Sequence, residues 1–112
     1  MNKTRLALIG AGRIGKIHLK AMSEVSEAEL VAIVDTNSEL QQLAKHFSVP
    51  FFQSSDKMLQ AVSPDGVIVC TPTDIHFGPV ASALKSGAHV LVEKPITQSV
   101  EEARKIISLS EQ

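Results

Sequence analysis

Three groups of residues in this chain have the type and spacing to do chemistry. Gly10-Ala11-Gly12-Arg13-Ile14-Gly15 follows a short apolar run and opens a segment of helical periodicity. Glycines spaced G-x-G-x-x-G between a strand and a helix can cradle a pyrophosphate. Gly10 permits a tight turn, Gly12 admits the phosphates against the backbone, and Gly15 lets the helix pack closely on the sheet. The start of a helix adds unpaired N–H donors and partial positive charge, so Arg13 and Ile14 join the glycines as candidate contacts. Asp35 comes second, 20 positions after Gly15 at the end of another apolar run. A carboxylate there can accept hydrogen bonds from ribose hydroxyls, at about 1.5–3 kcal/mol for a charged bond. It would repel a 2′-phosphate, and Thr36-Asn37 offer no compensating positive charge. That favours NAD over NADP; a solvated turn aspartate is the alternative, which the joint spacing with the glycines makes the minority reading. Third is Glu93-Lys94-Pro95, closing the last apolar run. Ligands of open parallel sheets bind beyond the carboxyl ends of the strands, which puts Glu93 and Lys94 near the nicotinamide end. The competing reading is a surface charge pair followed by a turn proline.

These residues need a scaffold, and the chain alternates strand and helix from end to end. Arg5–Ile9, Glu29–Val34, Pro50–Phe52, Gly66–Cys70 and His89–Val92 read as five strands, the first apolar throughout as expected of burial on both faces. Between the first two, Ile14, Ile17, Ala21, Met22 and Val25 recur at helical spacing; Leu40, Leu43, Ala44 and Phe47 mark a second helix, closed off by Pro50. Asp56–Val62 is a short third helix. A fourth starts near Asp74 to His76, tolerates Pro79 in its first turn and stops at Gly87. Ser99-Val100-Glu101-Glu102 is a capping box for the last, with Val100, Ala103, Ile106 and Ile107 on its buried face. Alternating strands and helices imply an α/β fold: a doubly wound, Rossmann-like parallel sheet with right-handed crossovers and strand order 3-2-1-4-5.

Size and composition limit the alternatives. The 112 residues suit one domain, residues 1–112. A net charge of −1 with scattered basic residues argues against a nucleic-acid partner. No apolar run approaches the ~20 residues of a membrane span. The single cysteine, Cys70, excludes an internal disulfide and fits a reducing cytoplasm, so the expected location is cytoplasmic. Within Val67-Ile68-Val69-Cys70 it reads as a small core residue. His18, His46 and His89 show no metal-like spacing, and no metal is expected; His18 falls near the start of the first helix, close to the cofactor.

Taken in order, these motifs resemble the glucose–fructose oxidoreductase / inositol dehydrogenase / MocA (Gfo/Idh/MocA) oxidoreductases. The resemblance runs from Ala7-Leu8-Ile9-Gly10-Ala11-Gly12-Arg13-Ile14-Gly15 through Val34-Asp35 and Val69-Cys70-Thr71-Pro72-Thr73-Asp74-Ile75-His76 to Ala83–Pro95. It implies oxidation or reduction of a secondary hydroxyl on a sugar, inositol or related polyol. It also implies that Lys94 lies near the reacting hydroxyl and helps move its proton. An ordinary lysine has a pKa of ~10.4, so Lys94 must be perturbed to act as a base near neutrality. As an ammonium it could equally polarise a carbonyl or stabilise an alkoxide. By the same resemblance Glu93 touches the nicotinamide ribose, Thr71, Pro72 and Thr73 line the cofactor groove, and His76 sits nearby. His76 also reads as a first-turn helix residue with a local hydrogen bond.

Members of that family continue into a sixth strand and a substrate domain, neither of which falls within these residues. The chain is therefore expected to be a fragment holding the N-terminal domain, able to bind NAD with little or no turnover. A stand-alone NAD-binding or redox-sensing module is the alternative function. A fifth strand without a neighbour is expected to leave an open edge and favour a homo-oligomer.

Overall fold

Strands that are apolar on both faces are stable only inside a sheet covered on both sides. The computed structural model meets that demand for the inner strands but not for the last, where His89 and Leu91 are exposed; it describes residues 3–71, 77–93 and 99–111. The strands are β1 (Thr4–Ile9), β2 (Ala28–Val34), β3 (Phe51–Phe52), β4 (Gly66–Val69) and β5 (His89–Val92). The helices are α1 (Arg13–Ser23), α2 (Gln41–His46), α3 (Ser55–Val62), α4 (Phe77–Lys85) and α5 (Val100–Ser110), with a 3-10 turn at Ser38–Leu40 before α2. All strands run parallel in the order β3-β2-β1-β4-β5, as anticipated. The order reverses between β1 and β4, which makes the carboxyl end of β1 the switch point where a ligand crevice is expected.

Side chains alternate strictly across the sheet. Ala7, Ile9, Ala32, Val34, Val67 and Val69 point to one face and pack with Met58 and Leu59 of α3 and Val80 and Ala83 of α4. Leu8 and Ile33 point to the other and pack with Leu19 of α1 and Ala44 of α2. Burying a side chain of this size is worth roughly 1.5–3 kcal/mol. A one-residue slip would turn these rows inside out, so the register is firmly specified.

Helix ends follow local chemistry. Ser99 caps α5 through its hydroxyl, which accepts from the Glu102 amide at 3.1 Å, as the capping box implied. Ser54 accepts from the Lys57 amide at 3.3 Å at the start of α3. Gly87 follows α4 at φ +90°, the left-handed conformation expected of a helix-ending glycine. Pro79 is the third residue of α4 and costs no helical hydrogen bond there.

Two expectations about helix faces need correction. On α5, Val100 and Ile107 are 68% and 56% exposed, not buried. Ala103 and Ile106 are half-buried, and Ile106 reaches the core. The helix packs on α4 at the edge of the sheet, and one neighbour can cover only a narrow stripe. On α1 the buried residues are Gly15, Leu19 and Met22, while Ile14, Ile17 and Ala21 of the apolar series are exposed, as is Val25 past the helix end. A helix laid against a sheet buries one stripe, and the close packing of Gly15 decides which.

Candidate functional site

The residue just beyond each of four strands is tied to the neighbouring strand by a backbone hydrogen bond. The Gly10 amide donates to Val34, the Asp35 amide to Phe52, the Cys70 amide to Ile9 and the Glu93 amide to Val69. Gly10, Asp35, Cys70 and Glu93 thus form one rim along the carboxyl edge of the sheet. Above it opens a crevice of about 950 Å³, within the range of small-molecule sites.

Each loop glycine has its own physical reason. Gly10 sits at φ +91°, and a Cβ there would lie 2.7 Å from the Thr71 amide nitrogen. Only glycine fits so tight a turn beneath the loop after β4. A Cβ on Gly15 would run into the Gly10 carbonyl oxygen and crowd the Leu8 side chain at 3.3 Å. Gly12 differs from both. Its backbone (φ −74°, ψ −155°) is open to any residue, and a Cβ there would meet nothing within 4 Å. It occupies the N-cap of α1 without a side-chain cap, where serine, asparagine or aspartate would serve the helix better. Among the described residues nothing requires glycine at position 12. The first intrahelical bond is donated by Lys16 to the Gly12 carbonyl. The amides before it have no intrahelical acceptor, the condition under which a helix start can take an anion.

Asp35 is no solvated turn residue. Its Oδ2 accepts from the Ala11 amide at 2.8 Å and its Oδ1 from the Asn37 amide at 2.9 Å. The carboxylate locks the glycine loop onto the end of β2, and each oxygen keeps a second lone pair for a ligand hydroxyl. Asn37 is committed elsewhere: its side chain accepts from the Glu39 amide at 3.0 Å and starts the 3-10 turn.

At the opposite end of the rim three side chains from distant parts of the sequence converge. His18 Nε2 lies 2.6 Å from Glu93 Oε1. Cys70 Sγ joins them, all three ligand-type atoms lying within 4.8 Å of one another. Histidine and cysteine spacing along the chain gave no hint of this meeting. Cys70 itself is half-buried at the crevice wall, one residue past β4, and not the fully enclosed core residue expected. Burial, helped by the Glu93 charge, pushes its thiol up to about 11. It stays protonated and unreactive at neutral pH.

Of the anticipated site residues, Gly10, Gly12, Arg13, Ile14, Asp35, Thr71 and Glu93 all line the crevice. Gly15 lies beneath, in the contact between helix and loop. Pro72, Thr73, His76 and Lys94 lie outside the described residues. Leu40, Gln53 and Ser55 also line the crevice and had not been singled out. Gln53 immediately follows β3, a position that the strand-end rule could have flagged. Among the described residues, no helix is long and apolar enough to cross a membrane.

The arrangement fits a dinucleotide: amides without intrahelical acceptors at a helix start, an open glycine beside them, and a fixed carboxylate at the next strand end. Comparison with known proteins agrees. Residues 4–112 match the family model described as "Oxidoreductase family, NAD-binding Rossmann fold". The chain is 33% identical to the rhizopine catabolism protein MocA of Rhizobium meliloti, over 99% of its own length and 35% of that protein's. It is 36% identical to inositol 2-dehydrogenase of the same species (strain 1021), over 89% of its length and 30% of that enzyme's. Among solved structures, scyllo-inositol dehydrogenase from Lactobacillus casei with bound NAD(H) and scyllo-inositol superposes with a TM-score of 0.92. That comparison has 30% identity and covers 99% of this chain and 34% of the other. The chain thus spans about a third of the length of these relatives. It belongs to this oxidoreductase family and carries its NAD-binding Rossmann fold.

Proposed function

We propose that this chain is the N-terminal, coenzyme-binding domain of an NAD-dependent dehydrogenase acting on a secondary hydroxyl of a sugar, inositol or related polyol. Gly12 is the observation that carries the binding half of this reading. Among the described residues it is a glycine with no conformational or packing need, beside amides without intrahelical acceptors. The pyrophosphate rests on the amides at the start of α1, and the Asp35 carboxylate takes the adenosine ribose. Two hydroxyls can donate to that carboxylate, whereas a 2′-phosphate would meet its negative charge. NAD is accordingly the coenzyme and NADP is disfavoured.

When bound, the coenzyme supplies the hydride chemistry. The chain's own residues orient it, and the rim of strand ends directs its reacting half toward Glu93. Lys94 follows Glu93 directly, and family resemblance gives it the proton of the substrate hydroxyl. The named substrates of relatives, inositols among them, support the polyol class. A single cysteine with a protonated thiol is compatible with a reducing, cytoplasmic setting.

Titration calorimetry with the two coenzymes tests the binding half. NAD should bind at least tenfold tighter than NADP, a difference of about 1.4 kcal/mol. Equal affinities would remove Asp35 from the ribose site.

A further inference from the structure

We infer that His18 is a positioning residue, holding the Glu93 carboxylate so that the end of β5 is braced against the phosphate-binding helix. This rests on the coenzyme-binding reading and adds to it a function for a side chain that the reading leaves idle. His18 is on the sixth residue of α1, three beyond Gly15 and on the same side of the helix. Glu93 is the first residue past β5. They are 75 residues apart in sequence, on elements that share no hydrogen-bond ladder, yet Nε2 and Oε1 lie 2.6 Å apart.

The geometry explains why a brace is needed. Among the described residues β5 is the edge of the sheet, paired on one side with β4 alone. The Glu93 amide, donating to Val69, ties its carboxyl end to β4. Edge strand ends fray unless something fixes them. The His18–Glu93 bond ties this end to α1, whose position is set by the tight contact of Gly15 with the Gly10 turn. Both side chains are partly sheltered, at 25% and 36% exposure, so water competes less for the bond than at an open surface. Cys70, beside the pair, is a weak partner as a protonated thiol. The glycine turn, α1 and the strand end leading into Lys94 therefore behave as one rigid rim.

Two variants of similar bulk separate the brace from simple packing. His18→Leu fills the space without a donor; His18→Gln keeps an N–H near the Nε2 position. Hydrogen exchange at the Glu93 amide, read in the full chain without coenzyme, should speed up at least tenfold in His18→Leu and stay within twofold of wild type in His18→Gln. Calorimetry with NAD⁺ and ADP-ribose gives the second readout. ADP-ribose, which lacks the nicotinamide, should bind both variants within twofold of wild type. NAD⁺ should weaken severalfold in His18→Leu and be restored in His18→Gln. Unchanged Glu93 exchange in His18→Leu would overturn the brace. Equal weakening of both ligands without rescue would also overturn it, placing His18 at the phosphates. If wild type bound neither ligand, the coenzyme reading would fail while the exchange result still judged the brace.

Discussion

Gly12 and Asp35 illustrate how much one residue type can decide. Asp35 already accepts two backbone amides, so it has two tasks: closing the glycine loop and presenting its remaining lone pairs. Asp35→Ala would abandon both and leave the Ala11 amide unsatisfied, at a cost of about 1–3 kcal/mol. Asp35→Asn is the milder probe: its amide oxygen can keep the Ala11 bond, while its NH2 gives up the Asn37 bond and the charge is lost. NAD affinity should fall roughly tenfold, about 1.4 kcal/mol, with NADP weakened far less, so that selectivity measured by calorimetry narrows. Undiminished selectivity would show that the charge is not what excludes the 2′-phosphate. Glu93 repays the same attention at the far end of the rim. It is adjacent to the lysine in sequence, but its carboxylate is engaged with His18.

At the scale of elements, local capping and packing can be checked separately from binding. Ser99 holds the Glu102 amide at the start of α5, and this helix has no fully buried residue. Its attachment leans on that cap, so Ser99→Ala should cost about 1 kcal/mol, visible as a lower midpoint in urea unfolding with an unchanged slope. An unaltered midpoint would mean that α5 is held by its contact with α4 alone. The elements were legible from sequence because their signals are local: five apolar runs, a capping box, a glycine after α4. Helix faces were less so. Val100 and Ile107 obey helical spacing, but which stripe is buried depends on what lies across from it, and α5 packs chiefly on α4. The glycine loop and Asp35 could be found because their spacing is itself the geometry of a strand, a turn and a helix. The meeting of His18, Cys70 and Glu93 could not, since it depends on which way side chains from α1 and the ends of β4 and β5 point, and no local spacing records that.

The whole molecule is asymmetric. Among the described residues β3 and β5 are the edges of its sheet, and Ile14, Ile17 and Leu91 present apolar side chains to solvent at 45%, 58% and 54% exposure. Leu91 shares the sheet face of Leu8 and Ile68, on the side of α1. An open strand edge beside exposed apolar residues invites pairing with another chain. Sedimentation of the 112-residue chain should therefore show mass rising with concentration, and Leu91→Lys should return it to a monomer. A wild-type chain that stayed monomeric at high concentration would contradict this. The central claim, that the molecule is a dinucleotide receptor with its open side at Gly12, is tested most directly by Gly12→Val. A Cβ there meets nothing within 4 Å among the described residues, so the midpoint of thermal unfolding should hold to within a few degrees while calorimetric NAD binding is abolished. Retained NAD affinity in a folded Gly12→Val protein would contradict the account.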